Sequence, residues 1–468
     1  MNEKRYLNWF NKIGYGSGDI AGNVVYAFLS AFVMIYLTDT VGMNAGVVGT
    51  LMMFSKIFDG VTDIFFGSMI DKTHSRLGKA RPWMLYAYIG CAVLLVAIYS
   101  VPSSISVTAQ YVWFFITYSM LNAVFYTANN IAYSALTALI TKNRHERVQM
   151  GSIRFIFAFS TSMLIQSATV GLVSGFGGGT AGWRTVAIIY AIIGFVVNSF
   201  SVFSVKELPP EELALEGNDT NDAAREKIPL LESLKLLLAN KYYLIICGVY
   251  ICCQISSALT AMGIYYMTYV LGDANLLGRF SVAMNAPIIV GLLLTPAIVN
   301  KAKGIYKVNL SGYMLATVFR ALVIVAGLMR NVPLMLIFTA LAYIGTSPLQ
   351  GDLNALIAIC SEYTWRTKGK RIDGTMYSCT SLGTKIGGGV GTALGGWLLA
   401  AGGYVTNAVQ QSQSCINMLN FMYLWAPFIL NVLITLLLYK LKVEQANAKW
   451  DETHAAVTKS HEQEGQNE

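Results

Sequence analysis

Long apolar stretches recur along the whole chain. A helix that crosses a bilayer needs about 20 predominantly apolar residues. About twelve stretches of that kind are present, centred near residues 26, 55, 92, 122, 163, 194, 255, 288, 318, 345, 388 and 429. We therefore predict an all-α integral membrane protein with twelve transmembrane helices.

The apolar stretches fall into two groups of six, separated by a polar segment. This division predicts a six-helix bundle over residues 1–205, a cytoplasmic linker over 206–240, a second bundle over 241–441 and a polar, mobile cytoplasmic tail over 442–468. Two groups of six are typical of secondary transporters built from repeated halves, with the substrate site near the middle of the membrane. The loop GSMIDKTHSRLGKARP after the second helix has a shorter counterpart, VNKAKGIYK, after the eighth.

The composition is typical of a membrane protein. Hydrophobic residues make up 55% of the chain and charged residues 12%, with a mean hydropathy of +0.52, whereas soluble domains carry about 25% charged residues. The net charge of +8 does not indicate a nucleic-acid partner, because the basic residues lie in short loops between apolar stretches. The seven cysteines lie in or beside apolar segments, without the spacing of a disulfide framework or a metal motif.

Basic residues mark every second loop. The marked segments are the N-terminus and the loops after the second, fourth, eighth and tenth helices, with Lys4, Arg5, Lys12, Lys72, Arg76, Lys79, Arg81, Lys142, Arg144, Arg147, Lys301, Lys303, Lys307, Arg366, Lys368, Lys370 and Arg371. Because cytoplasmic loops carry an excess of Lys and Arg, we expect these loops and both termini on the cytoplasmic side of a bacterial inner membrane. We expect a monomer in the bilayer, with charge pairs of the loop 71–81 holding the two halves together on that side.

Charged residues interrupt the second apolar stretch. Lys56, Asp59 and Asp63 are spaced by three and four residues and therefore share one face of a helix, with Thr62 beside them. A charge at the centre of a bilayer costs about 2.5–3.5 kcal/mol on insertion scales, so such residues normally face an internal cavity. Because two neighbouring carboxylates repel each other, they either share a proton or bind a monovalent cation. We predict a cation site at this position.

Polar residues interrupt other apolar stretches as well. Candidates for one cavity are Tyr15, Asp19 and Asn23 in helix one, Tyr126, Thr127, Asn130 and Tyr133 in helix four, Arg154 in helix five, and Ser381 and Lys385 in helix eleven. Four charged residues are expected to converge there: Asp59, Asp63, Arg154 and Lys385. Three further polar residues could instead join helices through hydrogen bonds or ion pairs, namely Asn129, Arg320 and Asp352.

The histidines restrict the choice of proton carrier. All four lie in loops or in the tail. A proton that drives transport must therefore be carried by a carboxylate, with Asp59 or Asp63 as the candidates. We predict no cofactor and no metal site, only a coupling cation, which is H⁺ or Na⁺.

Several segments occur in a characteristic order. They are GYGSGDIAGN, YLTDTVGM, FDGVTDIFFGSMIDKTHSRLGKARPW, NNIAYSAL with HERVQMGSIR, and EYTWRTKGKRIDGTMYS followed by Lys385 and GGY. Together they resemble the glycoside–pentoside–hexuronide:cation symporters, the melibiose permease and glucuronide carrier family within the major facilitator fold. The resemblance covers nearly all of the chain except the tail. It implies alternating access between two six-helix halves and transport of a sugar or sugar derivative with a monovalent cation.

The resemblance also implies roles for residues of the cation site. Asp59 and Asp63 match the two cation-binding aspartates of the family. Thr62 and Thr127 match neighbouring positions of the same site. Lys385 matches a lysine that links the cation and sugar sites.

The sugar site departs from the melibiose permeases at two positions. Asn23 and Asn130 stand where those permeases have sugar-binding aspartates, whereas Arg154 matches an arginine that contacts the sugar. The loss of two carboxylates leaves the pocket about two charge units more positive, and a guanidinium group is well suited to a carboxylate or sulfonate. We therefore expect an anionic substrate: a hexuronide, a free uronate, or a sulfonated sugar or fragment. The predicted substrate-binding residues are Asp19, Asn23, Tyr126, Asn130, Arg154, Ser381 and Lys385.

Three alternatives stay open. The first is a symporter of a neutral pentoside or glycoside. The second is a lysolipid carrier on the same fold, which requires an apolar lateral cavity. The third is a membrane-embedded enzyme, which requires a base–nucleophile set or a metal cluster; the lack of an intramembrane histidine and of a phosphate-cradling glycine loop favours a transporter over an enzyme.

Overall fold

A computed structural model describes residues 4–209, 230–302, 304–370, 372–406, 408 and 410–464. These residues form helices and connecting loops, and no strand occurs among them. Most of the predicted linker, residues 210–229, lies outside the described residues. The same holds for the end of the predicted tail, residues 465–468, and for two of the basic loop residues, Lys303 and Arg371.

Twelve long helical segments can be traced through the described residues. In chain order they are α1 (Trp9–Gly16 and Gly18–Ile35, continued by the π-helical turn Tyr36–Val41), α2 (Ala45–Asp71), α3 (Arg81–Ile98), α4 (Val107–Met120, the π-helical turn Leu121–Tyr126, and Thr127–Ile140), α5 (Arg144–Gly175), α6 (Gly179–Ser204), α7 (Lys241–Ala261 and Gly263–Tyr269), α8 (Leu276–Ala302), α9 (Ile305–Leu328), α10 (Val332–Lys368), α11 (Asp373–Ala401) and α12 (Gln413–Asn420, the π-helical turn Phe421–Trp425, and Ala426–Lys440). A linker helix, Leu230–Ala239, precedes α7, and a C-terminal helix, Val443–Glu464, follows α12.

Nine helices in the described part of the chain are long and apolar enough to cross a membrane. They comprise α1, α3, α5 to α10 and α12. The other three long segments, α2, α4 and α11, carry charged and polar residues that line the cavity described below. The all-helical membrane fold is confirmed, while the count of twelve crossings and the domain bounds stay predictions.

A glutamate near the end of each half caps the third helix of that half. In the first half, the Glu207 carboxylate accepts hydrogen bonds from the backbone N–H groups of residues 79–81, at 2.7–3.1 Å. In the second half, the Glu444 carboxylate accepts from the N–H groups of Ile305 (3.0 Å) and Tyr306 (3.2 Å). A carboxylate at this position satisfies unpaired N–H groups and complements the helix dipole. The two loops that are counterparts in the sequence are therefore closed in the same way.

The loop between α2 and α3 contacts its own half. Besides the Glu207 bonds, the Arg81 Nε donates to the carbonyl oxygen of Val202 at 2.8 Å, and the Trp83 Nε1 donates to the Thr73 hydroxyl at 2.8 Å. These contacts all lie within the first half, so the charge pairs expected between this loop and the second half stay a prediction.

The described part of the tail is helical, whereas we expected a mobile segment. Its helix is held against α10, because the Arg366 Nη2 lies 2.9 Å from the Asp451 Oδ2 and the Asn447 Nδ2 donates to the carbonyl oxygen of Ile359 at 3.2 Å. Polar composition alone therefore did not predict the contacts that Asn447 and Asp451 make with α10, and the mobility of the tail stays a prediction.

The two halves pack against each other through α2 and α11. A Cβ atom on Gly49 would lie 3.2 Å from the Cα of Gly396, so glycine permits the close approach of these helices. Gly60 lies on the same face of α2, three turns further on, and a Cβ there would lie 2.9 Å from Leu382. Gly67 lies on that face two turns beyond Gly60, and a Cβ there would meet no described atom within 4 Å. The close approach of the two helices is therefore described for the stretch of α2 from Gly49 to Gly60.

Polar contacts between the halves close the opposite end. The Thr38 hydroxyl lies 2.8 Å from the Tyr265 hydroxyl. The Asp39 carboxylate accepts hydrogen bonds from the hydroxyls of Tyr269, at 2.6 Å, and Tyr404. Thr38 and Asp39 end α1, whereas the three tyrosines belong to the second half. The molecule is thus closed at the end predicted to be extracellular.

Candidate cation and substrate site

A cavity of about 870 Å³ lies between the two halves, and residues of both line it. Eight of the predicted site residues are among them: Asn23, Asp59, Asp63, Tyr126, Thr127, Asn130, Ser381 and Lys385. Three predicted site residues are not among the described lining residues: Asp19, Thr62 and Arg154. The cavity therefore brings together most of the candidates, from α1, α2, α4 and α11.

Three charged side chains form a cluster in the cavity wall, which we call the Lys385 cluster. The Lys385 Nζ on α11 lies 3.0 Å from the Asp59 Oδ1 and 2.6 Å from the Asp63 Oδ2, both on α2. It also donates a hydrogen bond to the backbone carbonyl oxygen of Asp59 at 3.0 Å. Asp59 is only 8% exposed, so the attraction acts in a medium of lower effective dielectric than water. The ammonium group occupies the place between two carboxylates that a monovalent cation requires.

Thr127 reaches the cluster from the π-helical turn of α4. Its hydroxyl is hydrogen-bonded to the Asp59 Oδ1 and lies 2.8 Å from the carbonyl oxygen of Asn122, five residues earlier. A hydroxyl has a single proton, so it can donate to only one of these oxygens at a time. A protonated Asp59 could therefore donate to Thr127 while Thr127 donates to Asn122.

Thr62 has a different partner. Its hydroxyl donates to the backbone carbonyl oxygen of Asp59, at 3.1 Å, within the same helix. The structure thus places Thr127, and not Thr62, on the carboxylate. Thr62 is therefore bonded to the backbone of α2 beside the two carboxylates.

Lys56 lines the same cavity one turn before Asp59 on α2. Its Nζ lies 5.9 Å from the centroid of the Tyr26 ring, which is within the range of a cation–π contact. As the sequence predicted, the three charges of α2 face one side.

Arg154 takes part in a separate ion pair. Its Nε lies 2.6 Å from the Asp19 Oδ2, and its Nη1 donates to the Tyr15 hydroxyl at 3.3 Å. The guanidinium carbon lies 4.2 Å from the centroid of the Tyr133 ring, and the Tyr133 hydroxyl donates to the Asp19 Oδ2 at 2.9 Å. Arg154 therefore does not join the Lys385 cluster, where we expected it. The reason is that Asp19 faces α5 and neutralises Arg154 there.

The two asparagines that distinguish this chain from the melibiose permeases both line the cavity. The Asn23 Nδ2 donates to the carbonyl oxygen of Asp19 at 2.9 Å, which leaves its amide oxygen as an acceptor. Asn130 is exposed to the cavity, as is Ser381 from the opposite half. Neutral amides and a hydroxyl in this arrangement can hydrogen-bond a sugar.

The sequence did not predict most of the second-half residues that line the cavity. Its polar lining includes Gln254, Ser257, Ser281, Asn285, Tyr313, Arg320, Tyr343, Gln350 and Tyr423. The available signal was an isolated polar side chain inside an apolar stretch, as at Gln254 in α7 and Asn285 in α8. Such a residue indicates a buried polar surface, but it does not show which helix faces it.

The apolar helices, the two-half arrangement and the charged cavity between the halves define a multi-pass membrane transporter. Residues 14–445 match the sequence profile of a family described as MFS/sugar transport protein, and the chain belongs to that family. This confirms the predicted cation symporter family, the major facilitator fold, and a transporter rather than an enzyme.

Two relatives and one solved structure illustrate the similarity. The chain is 32% identical to the isoprimeverose transporter of Lactiplantibacillus pentosus, over 94% of this chain and 91% of that protein. It is 28% identical to the glucuronide carrier protein homolog of Escherichia coli, over 88% of this chain and 87% of that protein. The nucleoside transporter NupG superposes with a TM-score of 0.62 at 13% identity, over 91% of this chain and 99% of that chain, which shows the fold alone.

Proposed function

We propose that the protein is a secondary active transporter that moves a sugar or sugar derivative together with a monovalent cation, by alternating access. The Lys385 cluster carries this proposal. Its two carboxylates belong to the first half and its ammonium group to the second. A cation that binds the carboxylates competes with Lys385, so its arrival changes a contact between the halves.

The coupling in this mechanism follows from that competition. H⁺ binds to one of the two carboxylates, Asp59 or Asp63, or Na⁺ binds between them with Thr127 as a further oxygen ligand, and its single positive charge takes the place of the Lys385 ammonium group. Lys385 is then released toward the sugar cavity. By linkage, the cation must tighten sugar binding by the same factor by which the sugar tightens cation binding.

The contacts between the halves support alternating access. The hydrogen bonds that the hydroxyls of Tyr269 and Tyr404 donate to Asp39 close one end. With the basic loops in the cytoplasm, a conformation closed at that end corresponds to an inward-facing state. We place both termini in the cytoplasm and the protein in a bacterial inner membrane, as a monomer surrounded by lipid.

For the substrate, we favour an anionic sugar derivative, such as a hexuronide or a sulfonated sugar. Five charged residues line the cavity, namely Lys56, Asp59, Asp63, Arg320 and Lys385, and their formal balance is +1. The similarity to a glucuronide carrier homolog is consistent with that charge. The second candidate is a neutral glycoside, which the higher identity to an isoprimeverose transporter favours. The many polar groups of the wall argue against a lysolipid.

Uptake into proteoliposomes tests the coupling. Wild-type protein should accumulate phenyl β-D-glucuronide or isoprimeverose against a gradient only when a Na⁺ or proton gradient is imposed. Asp59→Asn should abolish accumulation, because it removes one charge of the cation site. Asp273→Asn, in the loop between α7 and α8, serves as the matched control. Full accumulation by the Asp59→Asn variant would refute the assignment.

A further inference from the structure

Arg320 differs from the other basic residues near the cavity. Its Nε is buried and has no hydrogen-bond partner among the described residues. The side chain nevertheless lines the cavity. A buried donor without an acceptor is unfavourable, and a guanidinium group presents its donors in one planar fork. Arg320 therefore carries an unsatisfied donor and a positive charge at the wall of the cavity.

Tyrosine side chains surround this guanidinium group. Its central carbon lies 4.8 Å from the centroid of the Tyr343 ring. Tyr313 and Tyr423 are close enough to interact with it electrostatically, and both also line the cavity. An aromatic face stabilises a cation, but it does not provide a hydrogen-bond acceptor in the plane of the guanidinium group, where the N–H groups point. The rings hold the side chain in place and leave its donors available.

Asp352, the other charged residue of the second half whose role the sequence left open, has a different partner. The Asn309 Nδ2 donates a hydrogen bond to the Asp352 Oδ2 at 3.1 Å. Arg154 and Lys385, by contrast, are both engaged by carboxylates. Among the described basic residues that line the second-half side of the cavity, Arg320 is thus the one without a carboxylate partner in this conformation.

We propose that Arg320 and the Tyr343 ring beneath it form an anion subsite that binds a carboxylate or sulfonate group of the substrate. This inference rests on the anionic substrate proposed above and assigns it a position. A planar carboxylate can accept two parallel hydrogen bonds from a guanidinium group. The sugar ring then faces Asn23, Tyr126 and Asn130 across the cavity. One substrate thereby contacts both halves, as closure around it requires.

The test compares two substrates that differ in one group. Phenyl β-D-glucuronide carries a carboxylate where phenyl β-D-glucoside carries a hydroxymethyl group. Arg320→Gln should raise the KM for the glucuronide at least about tenfold relative to that for the glucoside, because a charge-assisted bidentate contact is lost. Arg320→Lys should raise this ratio about threefold, since it keeps the charge but not the fork. The matched control is Arg330→Gln, which removes the same charge from the loop after α9, outside the cavity lining.

The outcomes separate the subsite from the proposed substrate. If wild-type protein transports the glucuronide and the KM ratio is unchanged in Arg320→Gln, the subsite is wrong while an anionic substrate stands. If wild-type protein transports the glucoside but neither the glucuronide nor the matching 6-sulfonate, the Arg320 subsite and the anionic substrate are both wrong. A lower KM for the carboxylate or for the sulfonate identifies the anion that the site prefers. Should Arg320→Gln fail to give monodisperse protein, an unchanged ratio in Arg320→Lys overturns the subsite.

Discussion

At the cation site, two threonines that look equivalent in the sequence have different partners. Thr127 contacts the carboxylate of Asp59, whereas Thr62 contacts a backbone carbonyl oxygen. Hydrogen bonds to charged groups contribute about 1.5–3 kcal/mol. We therefore expect Thr127→Val to weaken cation activation of transport about tenfold or more, and Thr62→Val to weaken it clearly less. The cation concentration for half-maximal uptake measures both effects, and a larger effect at Thr62 would show that the carboxylate contact is not the relevant one.

The Asp19–Arg154 pair predicts a loss of stability. The pair is partly buried, and removing one partner leaves the other charge without its counter-ion, which destabilises the folded state. Asp19→Asn should therefore lower the thermal unfolding temperature in detergent, and adding Arg154→Gln should recover part of the loss. Equal destabilisation by each single variant and strictly additive destabilisation by the double variant would contradict a structural ion pair.

Some of these residues could be recognised from the sequence, whereas the contacts of others could not. Asp59, Asp63 and Lys385 could be recognised because a charge inside an apolar stretch needs a polar environment. The partner of Arg154 could not, because it depends on which face of α1 packs against α5. The same limit applies to Arg320, whose tyrosine neighbours come from three different helices.

At the scale of the helices, the glutamates that cap α3 and α9 are expected to contribute to thermal stability. Glu207→Ala leaves the N–H groups of residues 79–81 without their carboxylate, which should cost about 1–3 kcal/mol. Thermal unfolding in detergent should show a lower midpoint for Glu207→Ala and for Glu444→Ala. Glu452→Ala, on an exposed face of the C-terminal helix, is the control. Midpoints that equal the control would mean that the caps do not stabilise α3 and α9.

The helices themselves were predictable, but their irregularities were not. Each predicted centre falls inside a helical segment of the structure, because apolar length decides whether a helix can span a bilayer. The π-helical turn Leu121–Tyr126 has no compositional signal, since a single extra residue in a turn creates it. That turn ends directly before Thr127, so the resemblance predicted Thr127 as a site residue, while the backbone irregularity beside it could not be predicted.

At the scale of the whole molecule, the hydrogen bonds that Tyr269 and Tyr404 donate to Asp39, which we call the Asp39 seal, should control which end is open. Replacing both Tyr269 and Tyr404 by Phe removes two hydrogen bonds that exist only when that end is closed. A change of about 1–3 kcal/mol shifts a two-state equilibrium about five- to 150-fold. Spin labels on cysteines at Val47 and Val405 should therefore show a larger population at long distance.

The control for the seal is Tyr111→Phe. The Tyr111 hydroxyl accepts a hydrogen bond from the N–H group of Asn44 within the first half, so this variant removes a tyrosine contact at the same end without touching the interface. A distance distribution that changes as much in the control as in the double variant would rule out the seal.

Reciprocal binding is the most direct test of the account. Calorimetry on wild-type protein should give the affinity for the sugar substrate with and without the coupling cation, and the affinity for the cation with and without the sugar. We predict that each ligand tightens the other by the same factor, and that Lys385→Ala brings this factor close to one. Sugar affinity that does not depend on the cation in wild-type protein, or coupling that persists fully in Lys385→Ala, would contradict the account.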